Sequence, residues 1–285
     1  MKKVLITGKN SYIGTSLENW LMREPDKYKV DTVDMKDGLW KEVSFNQYDV
    51  VFHVAGIAHV SSDPNMEDLY YKVNRDLTID TAKKAKAEGV NQFIFMSSII
   101  VYGDTSSRKR VIDKNTVPMP SNFYGNSKLQ AEEGIKPLES DAFKIVVLRP
   151  PMIYGKGSKG NYPRLANMAK KIPVFPDIDN QRSMLHIDNL CEFIKVMIDL
   201  EELGLFFPQN KEYVKTSELV KMIAEVHGKK IWMFRWMNWL IRMMFGIGIV
   251  KKVFSNLVYE KSMSDYDKAN YRIRTFRESI ELTEK

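Results

Sequence analysis

The 285-residue sequence predicts an α/β protein with a doubly wound parallel sheet and a smaller, mainly helical C-terminal lobe. Short apolar runs rich in β-branched residues alternate with helical patterns as far as Pro150, at the spacing of βαβ units. Beyond Pro150, prolines and glycines interrupt the pattern and helices then dominate. We expect a dinucleotide-binding first domain over residues 1–150, to which residues 184–200 return, and a substrate-binding second lobe over residues 151–183 and 201–285.

The elements of the first domain are predicted from apolar periodicity and from the residues that end each run. Strands are expected at residues 2–7, 28–33, 49–56, 91–97 and 144–148, and helices at 16–22, 64–87 and 124–133. The longest helix has clear end signals, since Asp63 can cap it, Pro64 suits its first position and Gly89 stops it.

The composition is that of a folded, soluble chain, with 44% hydrophobic and 28% charged residues. A single cysteine, Cys191, excludes a disulfide framework and fits a reducing compartment, so we expect a cytoplasmic protein. No apolar run is long enough for a signal peptide or a membrane span. The four histidines lack metal-ligand spacing, so we expect no metal and structural roles for His53, His59, His186 and His227.

The net charge of +7 leaves two interpretations open. It indicates either an anionic partner, such as a phosphate-bearing ligand, or a basic solubilising surface. No motif beyond charge supports nucleic acid, and we expect none as a partner.

The turn between the first strand and the first helix, residues 7–14, indicates a phosphate-binding loop of the Rossmann type. Gly8 suits a tight turn, and Gly14 allows the helix to pack closely on the strand. The start of the helix offers amides and a positive dipole end to a diphosphate. Ser11 stands where a glycine is usual, and its side chain either crowds the diphosphate or donates a hydroxyl to it.

Asp34 follows Gly14 by twenty residues, at the end of the second predicted strand. A carboxylate at that point accepts hydrogen bonds from the adenosine ribose. It favours NAD over NADP because it repels a 2′-phosphate, although Lys36 can offset that repulsion. NADPH therefore stays open.

Tyr124 and Lys128 stand four residues apart at the start of a predicted helix, which places both on one face. We expect the cation to lower the pKa of the phenol towards working pH, so that Tyr124 can exchange a proton with an alcohol or carbonyl oxygen. The pair follows the strand that ends at Ser97-Ser98, and the carboxyl ends of parallel strands form the ligand crevice.

The whole pattern resembles the extended short-chain dehydrogenase/reductase family of NAD-dependent epimerases and dehydratases. The resemblance covers nearly the whole chain and rests on the glycine loop, Ala55-Gly56, Asn74, Ser97-Ser98, Val101-Tyr102-Gly103, Tyr124 to Lys128 and Arg149-Pro150-Pro151. It implies a catalytic triad of Ser98, Tyr124 and Lys128, with Ser98 chosen because it precedes Tyr102 by four residues.

The resemblance also implies a cofactor site and a homodimer. The implied cofactor contacts are Gly8, Ser11, Tyr12, Ile13, Gly14, Asp34, Ala55, Gly56, Asn74, Lys128 and Pro151. For Asn74 a packing or capping role is the alternative.

Within this family the chain is similar to bacterial reductases of UDP-4-keto-6-deoxy-N-acetylhexosamines in surface-polysaccharide synthesis. The segments that carry the similarity are residues 53–60, 149–162 and 180–190. The similarity implies that Asn161 and Arg182 face the nucleotide diphosphate of a UDP-sugar, and an arginine suits that ligand because its hydrogen bonds to phosphate are charge-assisted.

Ile99 and Ile100 narrow the reaction. The family's dehydratases and decarboxylases carry carboxylates at these places, so the chain lacks the acid that those reactions use. Two reactions remain, reduction of a 4-keto sugar, which we favour, and 4-epimerisation of a UDP-glucose or UDP-N-acetylglucosamine type of substrate with retained NAD. A non-catalytic nucleotide sensor is a third hypothesis, which the intact triad disfavours.

Residues 229–252 combine aromatic and basic side chains with no acidic residue. Helical spacing puts Trp232, Trp236, Trp239, Leu240 and Met243 on one face. One interpretation is an amphipathic helix resting on an anionic membrane. We favour the other, a helix of the second lobe packed over the active site or a partner subunit.

Overall fold

The computed structural model describes residues 1–58, 63–103, 111–243 and 254–285. Its strands are β1 (Lys2–Thr7), β2 (Tyr28–Val33), β3 (Val50–His53), β4 (Gln92–Met96), β5 (Val111–Ile112), β6 (Lys144–Leu148), β7 (Met152–Tyr154), β8 (Val174–Pro176), β9 (Met184–His186), β10 (Gly204–Phe206), β11 (Trp232–Phe234) and β12 (Val258–Tyr259). Its α-helices are α1 (Tyr12–Leu21), α2 (Glu67–Tyr70), α3 (Leu77–Ala87), α4 (Phe123–Ile135), α5 (Asn161–Ala169), α6 (Ile187–Asp199), α7 (Thr216–Val226), α8 (Asn238–Met243) and α9 (Phe276–Glu284).

The described residues divide into two compact units. The first unit comprises residues 1–58, 63–103, Val117–Pro150 and Leu190–Pro208, and the second comprises 111–116, Pro151–Asn189, 209–243 and 254–285. The return to the first unit thus begins at Leu190, six residues later than we expect from the sequence. Residues 111–116, which the sequence assigns to the first domain, belong to the second unit.

The first unit contains a six-stranded sheet in the order β10-β6-β4-β3-β1-β2, and every pairing is parallel. The predicted doubly wound sheet is confirmed. The strand order reverses between β1 and β3, which are neighbours with Thr7 opposite His53. Right-handed crossovers then put the helices on opposite faces, and the loops that leave β1 and β3 open a ligand crevice at this switch point.

Burial on both faces explains why these strands read as continuous apolar runs. All five residues of β4 and all four of β3 are buried. The edge strand β10 is only three residues long and was not predicted, because Gly204 and the half-exposed residues after it give a weak strand pattern.

The predicted helix over residues 64–87 is wrong as one regular helix. Asp63 caps the first turn as expected, with its carboxylate accepting from the amide of Asn65 and Pro64 at the first position. The turn is a 3-10 helix (Pro64–Met66), followed by α2, a π-helical segment (Tyr71–Asp76) and α3. A π-helical insertion changes which side chains face the sheet, and such insertions often lie at functional sites.

The second unit holds three two-stranded parallel sheets among its described residues, in addition to α5, α7, α8 and α9. The pairs are β7 with β9, β8 with β11 and β5 with β12. Its core lies where α5 and α7 pack together and includes Tyr162, Leu165, Leu219 and Ile223. No helix in the described ranges is long and apolar enough to cross a membrane.

The single amphipathic helix expected after Lys229 is also wrong. Residues 232–234 form the strand β11, a 3-10 turn (Arg235–Met237) follows, and only α8 is α-helical. Ile231 is buried and Met233 partly buried against the core, while Trp232 between them is exposed, which is the alternation of a strand. Residues 244–252 of the predicted segment lie outside the described residues, as do His59 and Val60.

Candidate active site

The loop between β1 and α1 is shaped by two glycines and one cap. Gly8 has a φ of +101°, and a Cβ there would lie 3.0 Å from the amide nitrogen of Ala55 in the loop after β3. The two loops at the switch point therefore touch, and only glycine fits both the backbone angle and the contact. Ala55 and Gly8, both expected at the cofactor, are brought together.

Ser11 is the N-cap of α1, and its hydroxyl accepts a hydrogen bond from the amide of Gly14 at 3.2 Å. The cap starts the helix at Tyr12, four residues earlier than we expect from the sequence. A Cβ on Gly14 would lie 2.6 Å from the Ser11 oxygen and 3.2 Å from Ile6. The amides of Tyr12 and Ile13 thus belong to the first turn of the helix, where an α-helix presents its N–H groups outwards.

Asp34 follows the last residue of β2, and the amides of Gly8 and Lys9 both donate to the carbonyl of Val33 beside it. Its carboxylate accepts from the amide of Lys36 at 3.1 Å. The carboxylate is therefore held at the carboxyl end of the sheet, one strand away from the glycine loop. This arrangement fits the adenosine half of a dinucleotide.

Asn74 is fully buried in the π-helical segment and binds the loop after β3 on both sides. Its Oδ1 accepts from the amide of Ile57 at 2.8 Å, and its Nδ2 donates to the carbonyl of Ile57 at 3.1 Å. Nδ2 also lies 3.2 Å from the hydroxyl of Ser127 in α4. Asn74 therefore fastens the loop after β3 to the helix that carries Tyr124 and Lys128.

Gly56 lies between two of these side chains. A Cβ at this position would meet Asn74 Oδ1 at 2.9 Å and Lys128 Nζ at 3.2 Å. The absence of a side chain leaves the ammonium and the amide facing one narrow space at the carboxyl end of β3. Such a space suits the ribose and nicotinamide of a dinucleotide, whose hydroxyls accept and donate hydrogen bonds.

Ser97 and Ser98 follow β4 in extended conformation, and their side chains have different partners. The Ser98 hydroxyl caps the 3-10 turn Ile99–Tyr102 by accepting from the amide of Ile100, and it lowers the pKa of the Tyr124 phenol. The Ser97 hydroxyl instead donates to the carboxylate of Glu132. Ser98 is therefore the serine that the structure brings to Tyr124.

Tyr124 lies in the first turn of α4, which Asn122 caps by accepting from the amide of Gly125 at 2.9 Å. Its ring packs edge-on against that of Tyr70, with centroids 5.7 Å apart. Burial raises the pKa of Tyr124 to about 12, which outweighs the hydrogen bond from Ser98 that lowers it.

This outcome corrects the expectation that Lys128 lowers the pKa of the phenol. The ammonium of Lys128 donates to the carbonyl of Met96 at 2.9 Å and lies 4.7 Å from the ring centroid of Phe95. Burial lowers the pKa of Lys128 to about 8, although the charge of Glu132 raises it. The lysine is thus held beside the strand end, and with this pKa it remains mostly protonated at pH 7.

Glu132 and Arg149 form a buried ion pair next to Ser97, and this pair is not predicted from the sequence. Glu132 accepts two hydrogen bonds from Nε of Arg149 at 3.1 Å and a third from Nη2, and both residues are less than a tenth exposed. Arg149 also donates to the phenol of Tyr102 at 2.8 Å. Glu132 lies four residues after Lys128 in α4, so the pair joins the helix, the end of β6 and the turn after Ser98.

His53 is a structural histidine, as we expect from the sequence. It is fully buried at the end of β3, with Nδ1 2.8 Å from the hydroxyl of Thr7 and Nε2 3.0 Å from that of Thr78. Burial lowers its pKa to about 3, and the charge of Lys128 adds to the effect, so the ring is neutral. In the described ranges, no three His, Cys, Asp or Glu side chains are grouped as metal ligands.

Asn161 and Arg182 line one pocket inside the second unit, together with Met152, Leu165, Met184, Val214, Thr216 and Leu219. Asn161 begins α5, directly after Gly160. The backbone of Arg182 pairs with that of Val214, and its Nη1 lies 3.3 Å from the carbonyl of Ser255. Pro151 is the first residue of this unit, directly after Pro150, whose carbonyl accepts from the amide of Ile99.

Comparison with known proteins gives a consistent result. A family model described as the NAD dependent epimerase/dehydratase family matches residues 4–205. A UDP-glucose 4-epimerase of Vibrio cholerae is 32% identical over 255 residues, which are 81% of this chain and 77% of that protein. A GDP-6-deoxy-D-mannose reductase of Pseudomonas aeruginosa is 24% identical over 252 residues, or 79% of this chain and 80% of that protein.

A solved structure has the same fold over nearly the whole length. It is a UDP-glucuronic acid 4-epimerase of Bacillus cereus in complex with NAD, with a TM-score of 0.75 and 17% sequence identity, and the match covers 98% of this chain and 96% of that one.

Proposed function

Because this chain belongs to the NAD dependent epimerase/dehydratase family, we propose that it transfers hydride at C4 of a nucleotide sugar and that its reaction is the reduction of a UDP-4-keto-6-deoxy-N-acetylhexosamine. Family membership confirms the resemblance to the extended short-chain dehydrogenases/reductases. The chain is an NAD(P)-dependent nucleotide-sugar epimerase or reductase. The substrate, the direction and the residue roles are the proposal.

The observation that carries the proposal is the close packing of the turn capped by Ser98 on the first turn of α4, where a Cβ on Gly125 would lie 2.7 Å from the carbonyl oxygen of Ile100. The hydroxyls of Ser98 and Tyr124 can then both bond to an oxygen placed between them. A carbonyl oxygen at that point gains negative charge as it is reduced, and it is then stabilised by two donors.

A nicotinamide cofactor, when held by these residues, would supply or accept the hydride at C4. Tyr124 gives its phenolic proton to the C4 oxygen, and the two transfers together convert the ketone into an alcohol. Ser98 donates a hydrogen bond to the same oxygen and orients it. Lys128, whose ammonium faces the space beside Gly56, holds the cofactor ribose there.

The high pKa of Tyr124 fits a proton donor. A phenol with a pKa of about 12 is fully protonated at neutral pH, and it gives up its proton only when a strongly basic oxygen develops beside it. The alkoxide formed by hydride addition to a ketone is such an oxygen.

Ile99 and Ile100 support hydride transfer without elimination. Both lie in the turn that Ser98 caps, and neither offers a carboxylate to abstract a proton at C5. Within the second unit, the pocket of Asn161 and Arg182 supports a nucleotide diphosphate as a ligand, because Arg182 supplies a guanidinium beside apolar walls.

Asp34 favours NAD as the cofactor in this proposal. Its carboxylate is held at the end of β2 by the amide of Lys36, and a ribose 2′-phosphate would meet a like charge there.

The second candidate is 4-epimerisation, favoured by the 32% identity to a UDP-glucose 4-epimerase. The same groups serve it. Tyr124 first takes the proton from the C4 hydroxyl and later returns it, and hydride leaves C4 and comes back to the other face of the keto sugar. No reduced nicotinamide is consumed over a complete cycle.

The test gives the purified protein two substrate sets. In the first, a UDP-4-keto-6-deoxy-N-acetylhexosamine is mixed with NADH or NADPH, and the loss of reduced nicotinamide is followed by absorbance. In the second, UDP-glucose or UDP-N-acetylglucosamine is added without reductant, and the C4 epimers are separated by chromatography. Consumption of reductant supports the reductase. Interconversion without it supports the epimerase and overturns the reductase, and inactivity in both sets overturns hydride transfer at C4.

A further inference from the structure

The segment from Lys229 to Met243 in the second unit takes no part in the proposed reaction, yet it has the most unusual surface of the described chain. Three of the five tryptophans lie here with more than half of their surface exposed: Trp232 at 57%, Trp236 at 62% and Trp239 at 55%. Met243 follows at 73%. These four residues are called the tryptophan face below. Large exposed aromatics are rare on soluble surfaces that have no partner.

Strand pairing explains the exposure of Trp232. It lies opposite Val174 in the parallel pair of β11 and β8, and Val174 is exposed as well. The neighbours Ile231 and Met233 point into the core of the unit. The solvent-facing side of this small sheet is therefore apolar. Its other side already packs against the core of the unit.

Helical spacing explains the rest of the tryptophan face. Trp236, Trp239 and Met243 follow one another at intervals of three and four residues through the 3-10 turn and α8. Side chains at these intervals lie on one side of a helix. The exposed side chains therefore form a stripe along the short helix.

The charges around this stripe are positive. Lys229 and Lys230 are exposed, and the side chain of Arg235 is 86% exposed although it pairs with Asp177. Asp177 is shared with Lys215, so the two cations outnumber the one anion. The ammonium of Lys230 lies 4.7 Å from the ring centroid of Trp232, so this exposed ring has a cation directly beside it.

We propose that the tryptophan face binds the surface of an anionic phospholipid bilayer. Tryptophan prefers the boundary between headgroups and acyl chains, since its ring is apolar and its N–H is a donor. Lysine and arginine beside it are attracted to acidic headgroups. A helix as short as α8 cannot span a bilayer, but it can lie flat in the boundary with its apolar stripe inwards.

The combination distinguishes a bilayer from a second copy of the chain. In a two-fold interface between two copies, Lys229 and Lys230 would face the same lysines of the second copy. Like charges would then oppose each other across the axis. An acidic bilayer matches both the apolar stripe and the cations. The surface belongs to the second unit and does not depend on the reaction proposed above.

The experiment uses the full-length protein and sedimentation with sonicated vesicles. We expect the protein to pellet with phosphatidylglycerol–phosphatidylcholine vesicles and to remain in the supernatant with phosphatidylcholine alone. The variant Trp236→Ala/Trp239→Ala should bind the acidic vesicles about tenfold less, because two large apolar surfaces no longer leave water. The variant Lys229→Glu/Lys230→Glu should lose binding at low salt.

Matched controls lie in the first unit. Leu39 is exposed to 58%, so Leu39→Ala removes exposed apolar surface elsewhere, and Lys29→Glu/Lys83→Glu makes the same change of charge. Both controls should bind vesicles like the unchanged protein, and every variant should keep its turnover of a soluble nucleotide sugar.

Three outcomes would overturn the proposal. The first is a protein that does not pellet with acidic vesicles, and the second is pelleting that the tryptophan and lysine variants leave unchanged. The third is a change of oligomeric state in Trp236→Ala/Trp239→Ala, measured by analytical ultracentrifugation without lipid. That result would assign the tryptophan face to a second copy of the chain.

Discussion

Ser98 lowers the pKa of the Tyr124 phenol, which burial otherwise raises, although 26 residues separate the two in the chain. The turn that Ser98 caps packs on the first turn of α4, since a Cβ on Gly125 would lie 2.7 Å from the carbonyl oxygen of Ile100. The chemistry proposed for this protein depends on that pair, and so do the first experiments.

Replacing Tyr124 by Phe should reduce kcat by about a thousandfold, because the C4 oxygen loses its proton donor. Cofactor binding, measured by fluorescence titration with NADH, should not change. Ser98→Ala should reduce kcat by about a hundredfold, and Ser97→Ala is its neighbouring control. Full turnover by the Tyr124→Phe variant would remove the phenol from the mechanism.

Lys128 should make stability depend on pH above neutrality. Burial lowers its folded-state pKa to about 8, below the ordinary value near 10.5, so the unfolded chain holds the proton more tightly. The free energy of unfolding should therefore rise between pH 8 and pH 10.5, by up to about 3 kcal/mol. Lys128→Met should lack this rise in urea titrations, and it should be inactive but no less stable at pH 7. An identical pH dependence in both proteins would contradict the assignment.

Glu132→Gln should destabilise the protein by about 3–5 kcal/mol, because it leaves the buried guanidinium of Arg149 without its counter-charge. The pKa of Lys128 should also fall, since Glu132 is the group that raises it. Glu133→Gln, at the adjacent exposed position of α4, is the matched control and should change stability by less than about 0.5 kcal/mol. Equal urea midpoints for the two variants would show that the ion pair contributes little.

The cap of α1 can be separated from the phosphate site by two substitutions at one position. Ser11→Ala removes the oxygen that accepts from Gly14 and should cost about 1 kcal/mol of stability. Ser11→Gly should cost only a few tenths, since glycine is tolerated as a cap. If both variants bind NADH less tightly by the same factor, the hydroxyl contacts the diphosphate. A loss confined to Ser11→Ala would mean that the hydroxyl acts only through the cap.

Asp34→Asn should shift the cofactor preference towards NADP, because the like charge facing a 2′-phosphate is removed. We expect the ratio of kcat/KM for NADPH to that for NADH to rise about tenfold. Asp37→Asn, three residues further on, should leave the ratio unchanged. A fall in the ratio would contradict the position proposed for the ribose.

Local pattern was sufficient for the bounds of three strands of the first unit. The bounds of β1, β2 and β6 agree with those expected, because each is an apolar run ended by a residue that stops a strand. The prediction of a helix at the short strand β11 is wrong, because there the local pattern favours a structure that the packing of the unit does not allow. Trp232 and Trp236 have helical spacing, but the burial of Ile231 and Met233, which depends on the rest of the unit, forces period two.

Motifs were enough to predict the catalytic residues, whereas long-range pairing was not predictable. Tyr124 and Lys128 were predicted from their spacing and Ser98 from the family resemblance, and their catalytic roles stay a prediction. The pairing of Glu132 with Arg149 could not be predicted, because nothing local marks two charged residues 17 positions apart as partners in a core. The pKa of Tyr124 was misjudged because spacing shows that a cation is near but not that burial outweighs it.

The π-helical segment around Asn74 has a consequence for how this sequence can change. Each such segment holds one residue more than the α-helix it interrupts, so a single deletion among residues 71–76 would restore a regular helix. That shorter chain would gain backbone stability, but the registration of Asn74 with Ile57 and Ser127 would be lost. The extra residue therefore ties the length of this helix to the site.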